Sequence, residues 1–211
     1  MKGKISKIKG GNLIDFLPLE KNLEKSGYKT IAGVDEAGRG AIFGPVVAAA
    51  VILNKKNIEG IRDSKQLSPL KRKIIFEKIL EHAYDIGIGI SDNIEIDEIN
   101  IHKANLLAME RAVKNLTVSP DFVLIDAYNL KNISIPQKSI IKGDSKVYSI
   151  AAASIVAKVI RDEMMKKFSE YFPFLNLEKN KGYATKFHTE IIKNICPTLF
   201  HRFSFKGVKT N

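Results

Sequence analysis

Two adjacent acidic residues begin the part of this sequence that could do chemistry. Asp35 and Glu36 stand in IAGVDEAGRG, after an apolar run and just before a Gly-Arg-Gly triplet. Asp126 in LIDA and Asp144 in KGDSK are two further acidic residues at a predicted strand end or loop-to-helix junction. Carboxylates brought together raise one another's pKa unless a cation holds them. Oxygen ligands without a His or Cys cluster favour Mg²⁺ or Mn²⁺ over zinc. The four acids therefore predict a divalent metal site, whereas Asp126 or Asp144 taken singly is better explained as a loop acid that caps a helix.

The glycines behind these acids suggest a second kind of chemistry. Gly38, Gly40 and Gly44 nearly reproduce the G-x-G-x-x-G fingerprint of dinucleotide folds, but Phe43 stands where the third glycine belongs, and the two acids would face a pyrophosphate. The glycines are better explained as backbone that must approach a ligand closely, with Arg39 beside it to meet a phosphate.

The elements that position these residues follow from hydrophobic periodicity and capping signals. Ser68 is predicted to cap a helix that has Pro69 at its first position. The other expected elements are strands at about 30–35 and 44–53, a strand at YDIGIGI, a helix at about 100–116, a strand in DFVLIDA that ends at Asp126, and an apolar, Ala-rich helix at 146–168.

This order of elements predicts an α/β fold in which helices cover a mixed sheet. The acids then fall at strand ends or loop-to-helix junctions, where such folds gather their chemistry. Successive residues on a regular strand face opposite ways, so both Asp35 and Glu36 can bind one metal only if the chain bends at Glu36. Residues 1–28 are expected to form a basic lead-in, and residues 29–211 to form one domain with a C-terminal helical segment.

Composition narrows the partners. The chain has 34 Lys and Arg against 23 Asp and Glu, a formal net charge of +11, which favours an anionic partner such as nucleic acid. Its one cysteine, Cys196, excludes an intramolecular disulfide. The basic N-terminus lacks the apolar core of a signal peptide, and no apolar run reaches the ~20 residues that span a bilayer. We expect a soluble cytoplasmic protein, a monomer, that does not bind membranes.

Six motifs occur in an order that resembles ribonuclease HII: GVDEAGRG, RDSKQLSP, LIDA, KGDSKVYSIAAASIVAKVIRD, GYATKFH and HRFSF, spanning about residues 29–206. The resemblance implies a ribonuclease-H-like mixed sheet flanked by helices. It also implies an endonuclease that cuts the RNA strand of RNA–DNA hybrids, or DNA with embedded ribonucleotides, and leaves 5′-phosphate and 3′-hydroxyl ends.

The resemblance also implies roles for individual residues. Its metal ligands are Asp35, Glu36, Asp126 and Asp144. The loop that reads the ribose would be Gly38, Arg39 and Gly40, and Tyr183 would contact the substrate. Lys65 and Lys146 are expected to contact phosphates, although solvated lysines would look the same in the sequence. In the implied two-metal mechanism, metal-activated water attacks the phosphorus and a second ion stabilises the leaving 3′ oxygen. Because water attacks, the ribose 2′-OH then serves to distinguish RNA from DNA.

Two loop positions depart from the family pattern. Ala41 stands where proline is usual after Gly-Arg-Gly, and Ala184 stands where glycine usually follows the tyrosine. Both positions bear on loop rigidity and substrate preference rather than on the chemistry. The sister type, ribonuclease HIII, normally has an extra N-terminal domain and a different glycine loop, which the short lead-in and the intact Gly-Arg-Gly argue against. No appended clamp-binding peptide is evident in the tail.

Other candidate residues have structural explanations. His188 is expected to be structural or to contact a phosphate, and Ser154 to allow close helix packing. Phe200, Phe203 and Phe205 are interleaved with cations and could stack on bases, but packing onto the domain is the preferred interpretation. A non-catalytic nucleic-acid-binding protein would not need the four acids, and a metal-dependent DNA nuclease would not need the sugar-reading loop.

Overall fold

A computed structural model of the protein describes residues 18–54, 58–61 and 67–208. The strands and helices of this part follow the predicted alternation. The strands are β1 (Ile31–Ala37), β2 (Val46–Leu53), β3 (Ala83–Ser91), β4 (Phe122–Asp126) and β5 (Gln137–Ile140). The α-helices are α1 (Pro18–Lys25), α2 (Pro69–His82), α3 (Asn93–Lys114), α4 (Tyr148–Tyr171), α5 (Leu177–Asn180) and α6 (Lys186–Ile195), and short 3₁₀ turns form at Gly143–Ser145 and Pro173–Leu175.

The five strands form one mixed sheet in the order β3-β2-β1-β4-β5. β1 pairs antiparallel with β2 and parallel with β4, so it lies at the centre of the sheet. The apolar side chains of β2 alternate between faces, with Ala49 and Val51 packing in one cluster with α2 and α4, and Ala48 and Ala50 packing in another with α3. Helices therefore cover both faces, which confirms the predicted α/β fold.

Local signals placed several elements correctly. The Ser68 hydroxyl accepts a hydrogen bond from the Lys71 amide and caps α2 as predicted. Helix α3 begins earlier than predicted, because Asp92 and Glu95 form a reciprocal capping box at its start. Non-helical backbone at Asn100 then interrupts it, near the point where the predicted helix began. The short edge strand β5 has half-exposed side chains and was not predicted.

The predicted bend at Glu36 is wrong. β1 continues through Glu36 to Ala37 with unbroken antiparallel pairing to β2. Its parallel pairing with β4 ends at Val34, however, so the last residues of β1 have no strand on that side. Asp35 and Glu36 therefore keep the opposite facings of a regular strand, and their carboxylates nevertheless come together beside Asp126, the last residue of β4.

Helix α1 lies within the segment predicted as a lead-in. Leu19 and Leu23 pack against a small apolar cluster that includes Ile31 and Phe122, and the Glu20 carboxylate accepts a hydrogen bond from the Ser149 amide at the start of α4. Residues 1–17 lie outside the described part of the chain, and the boundary at residue 29 stays a prediction. None of the described helices combines the length and the apolarity that a membrane span requires.

Candidate metal and nucleic-acid site

Three of the four predicted acids meet at the end of the central strands. Asp35, Glu36 and Asp126 each offer a carboxylate oxygen, and these oxygens lie within 4.8 Å of one another. Asp35 is only 4% exposed. Glu36 Oε2 is buried and has no hydrogen-bond partner among the described residues. A buried, unpaired carboxylate oxygen facing two other carboxylates is what a hard divalent cation would satisfy.

The electrostatics of this cluster point the same way. Burial, followed by the charges of Glu36 and Asp126, raises the pKa of Asp35 well above its ordinary value. Burial also raises the pKa of Glu36, although the Arg39 charge opposes this rise. The folded chain thus holds carboxylates in an environment that disfavours their ionised form, and a bound cation would reverse that preference. The residues present therefore fit a divalent metal.

Asp144 lies close to this cluster but outside it. It occupies the 3₁₀ turn Gly143–Ser145 and is buried. The preceding amide, that of Gly143, donates a hydrogen bond to Asp126 Oδ1 at 2.6 Å, so this turn holds the Asp126 carboxylate in place. The structure thus brings three of the predicted acids within ligand distance of one another and places the fourth one residue beyond a contact to Asp126.

The glycine triplet forms the wall of the same cleft. A cleft of about 250 Å³ is lined by the three acids, residues 37–40, Ser154, Lys158 and Tyr183. Arg39 Nη1 lies 3.4 Å from Glu36 Oε1, and the Arg39 guanidinium lies 5.1 Å from the centroid of the Tyr128 ring. The predicted sugar-reading residues therefore share one cleft with the acids.

Tyr183 closes the other side of this cleft. Its ring is partly exposed, and its Cε1 lies 3.8 Å from where a Cβ on Gly40 would be. Between the Gly40 backbone and this ring atom there is thus a gap with room for about one methyl group. Bare backbone beside an aromatic ring lets a ligand such as a sugar pack on the ring and still reach the main chain of the glycine loop.

A chain of buried hydrogen bonds fixes the backbone of Tyr183. The Thr198 amide donates to His201 Nδ1 at 2.9 Å, so His201 carries its proton on Nε2. That nitrogen lies 3.1 Å from His188 Nε2, and His188 Nδ1 lies 3.0 Å from the Tyr183 carbonyl oxygen, to which it donates. Burial lowers the pKa of both imidazoles, that of His201 to about 4, so both are neutral near pH 7. His188 is structural, as expected.

A buried arginine fixes the glycine loop from the C-terminal segment. Arg202 Nη1 donates to the Arg39 carbonyl oxygen at 2.9 Å, and Arg202 Nε donates to the Gly44 carbonyl oxygen at 2.8 Å. Phe205 lies under the Arg202 guanidinium at 5.2 Å, and Phe200 packs edge-on against Phe172, so these phenylalanines pack onto the domain as expected. The HRFSF motif therefore supports the loop from behind.

Two residues of this cleft were not predicted to belong to it, since Ser154 was expected only to allow close helix packing and Lys158 was not considered. Ser154 and Lys158 are one helical turn apart on α4, and both line the cleft. The Ser154 hydroxyl hydrogen-bonds to Asp35 and lowers the pKa of that carboxyl, so Ser154 does more than allow close packing. Their i, i+4 spacing on a helix that crosses the core was the available signal.

Neither of the two predicted phosphate-binding lysines can be assigned to the cleft from the described residues. Lys65 lies outside the described residues. Lys146 is exposed, and its ammonium group donates a hydrogen bond to the Ile141 carbonyl oxygen at 2.8 Å, which places it beside the turn that carries Asp144. Contact of either lysine with a phosphate stays a prediction.

Comparison with known proteins gives one consistent family. The ribonuclease HII family model matches residues 32–208. A ribonuclease HII of Caldicellulosiruptor saccharolyticus is 49% identical over 192 residues, which cover 90% of this chain and 94% of that protein.

Solved structures share the fold. The ribonuclease HII in a complex with PCNA from Archaeoglobus fulgidus has a TM-score of 0.72 at 25% identity, over 87% of this chain and 98% of that one. The structure of Bst ribonuclease HIII in complex with Mn²⁺ has a TM-score of 0.70 at 23% identity, over 94% of this chain and 74% of that one. These likenesses confirm the ribonuclease-H-like architecture.

Proposed function

This chain belongs to the ribonuclease HII family of metal-dependent endoribonucleases, which cut the RNA strand of RNA–DNA hybrids, and from that premise we propose its finer activity. We propose that it also cuts duplex DNA on the 5′ side of a single embedded ribonucleotide, by two-metal-ion catalysis with Mg²⁺ or Mn²⁺, and leaves 5′-phosphate and 3′-hydroxyl ends. Asp35, Glu36, Asp126 and Asp144 hold the metal in this proposal.

One observation carries the proposal. The three clustered acids share a single cleft with residues 38–40 and Tyr183, so a group of carboxylates that could hold a metal ion lies beside exposed glycine backbone. A metal-dependent nuclease that reads only phosphates would need the acids but not the gap between Gly40 and Tyr183. A sugar whose 2′-OH is read in the gap would place its neighbouring phosphate near the carboxylates.

In this proposal different residues bind the metal, recognise the 2′-OH and pack on the sugar. The carboxylates of Asp35, Glu36 and Asp126 would hold divalent ions, with Asp144 as a further ligand from the adjacent turn. When bound, such ions lower the pKa of the attacking water and stabilise the leaving 3′ oxygen. Backbone groups of residues 38–40 hydrogen-bond to the 2′-OH, and the Tyr183 ring packs on the neighbouring sugar. Because water attacks, the 2′-OH serves only in recognition.

A three-substrate assay tests the activity. Labelled RNA–DNA hybrid, all-DNA duplex and DNA duplex with one ribonucleotide are each incubated with the enzyme in Mg²⁺ and in EDTA. We expect cutting of the hybrid and of the single-ribonucleotide duplex in Mg²⁺ alone. Cutting of all-DNA duplex would instead indicate a DNA nuclease, and binding without turnover would indicate a non-catalytic nucleic-acid-binding protein.

Variants of the acids test the metal assignment. Asp126→Asn should lower cleavage by several orders of magnitude, because the single oxygen of an amide is a poor ligand, while hybrid binding measured without turnover remains. Asp121→Asn is the matched control, since this aspartate caps backbone amides at the opposite end of β4. Near-wild-type cleavage by Asp126→Asn at saturating Mg²⁺ would remove Asp126 from the metal site.

Variants of Tyr183 test the sugar contact. Tyr183→Phe keeps the aromatic face and should keep much of the activity, whereas Tyr183→Ala should lose most of it. The Ala loss should be larger on the single-ribonucleotide duplex than on a long hybrid, where other registers compensate. If Tyr183→Ala lost equal activity on both substrates and the loss followed the change in melting temperature, Tyr183 would only hold its loop in place.

A further inference from the structure

Arg161 is a fully buried charge that the proposed chemistry does not use. It projects from α4 and has no exposed surface. Its Nε donates to the Pro45 carbonyl oxygen at 3.0 Å, its Nη1 to the Lys181 carbonyl oxygen at 2.9 Å, and its Nη2 to the Phe43 carbonyl oxygen at 3.2 Å. Apart from a long contact to the Met165 sulfur, the hydrogen bonds of this guanidinium in the described chain all go to backbone.

A charge buried in this way is expensive to keep, so its partners indicate its role. Removing a guanidinium from water is strongly unfavourable, and charge-assisted hydrogen bonds to well-placed acceptors offset much of that loss. Burial accordingly lowers the pKa of Arg161. An apolar side chain could fill the same volume, but it would leave the three carbonyl groups unsatisfied.

These three carbonyl groups belong to two different loops. Phe43 and Pro45 follow the glycine triplet, and Lys181 precedes Tyr183. Between the loops runs a backbone hydrogen bond, from the Ile42 amide to the Gly182 carbonyl oxygen at 2.9 Å. Arg161 therefore bridges the two walls of the cleft from beneath.

Arg161 also contacts both recognition elements directly. Its guanidinium carbon lies 5.7 Å from the centroid of the Tyr183 ring. A Cβ built on Gly38 would lie 1.9 Å from Arg161 Nε, so the side chain packs on bare backbone at that position. One side chain thus contacts both the glycine loop and the tyrosine.

We propose that Arg161 is a positioning residue that locks the glycine loop to the Tyr183 loop and thereby sets how strictly the enzyme demands a ribose 2′-OH. The inference rests on the proposed reading of the 2′-OH in this gap. Hydrogen-bond readout of a hydroxyl requires placement to within about 0.5 Å. A planar guanidinium can serve three carbonyl groups and stack on a ring at once, whereas a lysine ammonium keeps the charge but cannot keep that geometry.

The test uses full-length Arg161→Lys and two duplexes that differ in one group. One duplex holds a single ribonucleotide, and the other holds 2′-fluoro in place of that 2′-OH, which removes the donated hydrogen bond. The ratio of the two kcat/KM values measures ribose discrimination. Because both substrates meet the same enzyme sample, loss of folded protein cancels in this ratio.

Arg111→Lys is the matched control. Arg111 also makes a two-pronged interaction, to the Glu95 carboxylate at 2.7 and 2.8 Å, but it lies on α3 outside the cleft. We expect Arg161→Lys to lower the discrimination ratio at least about tenfold, since a 1 Å misplacement can lower a catalytic rate by about a hundredfold. Arg111→Lys should leave the ratio unchanged.

The outcomes separate this inference from the function beneath it. A wild-type ratio near one would overturn the reading of the 2′-OH itself. A large wild-type ratio that Arg161→Lys retains would overturn the role of Arg161 alone, even if both rates fall.

Hydrogen exchange in the wild-type enzyme gives an independent answer if Arg161→Lys does not fold. The Arg161 Nε–H and the Ile42 amide should open with the same free energy, because the bridge and the loop-to-loop bond form one unit. Opening of the Arg161 Nε–H while the Ile42 amide stays protected would overturn the proposal.

Discussion

Replacing the two glycines of the triplet by alanine should have different effects: Gly38→Ala should lower the stability of the fold, and Gly40→Ala should lower the activity. Gly38 has a φ of +92°, and a Cβ there would lie 1.9 Å from Arg161 Nε. The left-handed backbone is unfavourable for alanine by about 1–2 kcal/mol. Displacing the guanidinium also weakens at least one charge-assisted hydrogen bond, worth about 1.5–3 kcal/mol. Gly38→Ala should therefore destabilise the fold by about 3 kcal/mol.

Gly40 is a different case. Its φ is not positive, and a Cβ there would meet only Tyr183 Cε1, at an ordinary 3.8 Å. Gly40→Ala should therefore leave stability unchanged or raise it by up to about 1 kcal/mol, through the lower entropy of the unfolded chain. The added methyl group occupies the gap proposed for the sugar, so cleavage of a single-ribonucleotide duplex should fall at least about tenfold, the loss expected from misplaced substrate.

Thermal unfolding and kcat/KM measured on both variants test this reasoning. For a domain of this size, about 3 kcal/mol corresponds to a fall in melting temperature of roughly 6–12 °C for Gly38→Ala. Gly40→Ala should melt within a few degrees of wild type and yet be poorly active. Wild-type stability of Gly38→Ala would refute the packing of Arg161 on that glycine. Full activity of Gly40→Ala would refute the gap as the place of the sugar.

Three further outcomes follow from charge. The pKa of Asp35 is raised in the folded protein, and the stability that this adds at low pH is lost as the pH rises through the raised pKa. Asp35→Asn should therefore raise the melting temperature of the metal-free protein at pH 7. Asp85→Asn should lower it, because the pKa of the Asp85 carboxyl is lowered in the folded protein. The pKa of His201, lowered from 6.5 to about 4, should make stability decline as pH falls through that window, and His201→Gln should flatten the decline in melting curves. If Lys146 contacts a phosphate, Lys146→Met should reduce the slope of log affinity against log salt by about 0.9, and the control Lys167→Met should not.

Local patterns in the sequence predict much of the fold and the chemical part of the site. Asp35 and Asp126 could be found because each follows a short apolar run, and the ends of neighbouring strands meet in an α/β sheet. Glu36 was assigned correctly to the cluster for an incorrect reason. A bend was expected, whereas β1 stays regular and extends beyond Val34, its last residue paired with β4. Strand pairing of this kind is non-local and leaves no mark within the strand itself.

The supporting residues of the site were beyond sequence reasoning. Arg161 and Arg202 look like solvated cations in a sequence, because arginine is almost never fully buried without partners. Except for the Lys181 carbonyl group, the carbonyl groups that they bind lie more than a hundred residues away, in the Arg39 to Pro45 segment. Tyr183 was identified only through the family resemblance, since nothing in its local pattern separates it from other loop tyrosines.

Mapping both ends of the cut in a DNA duplex with one ribonucleotide tests the central claim most directly. If water attacks in the metal cleft while the 2′-OH is held for recognition, the cut lies on the 5′ side of the ribonucleotide. The products then carry a 3′-hydroxyl and a 5′-phosphate, and none form in EDTA. A cut on the 3′ side that leaves a 2′,3′-cyclic phosphate would show that the 2′-OH is the nucleophile, and it would contradict the account.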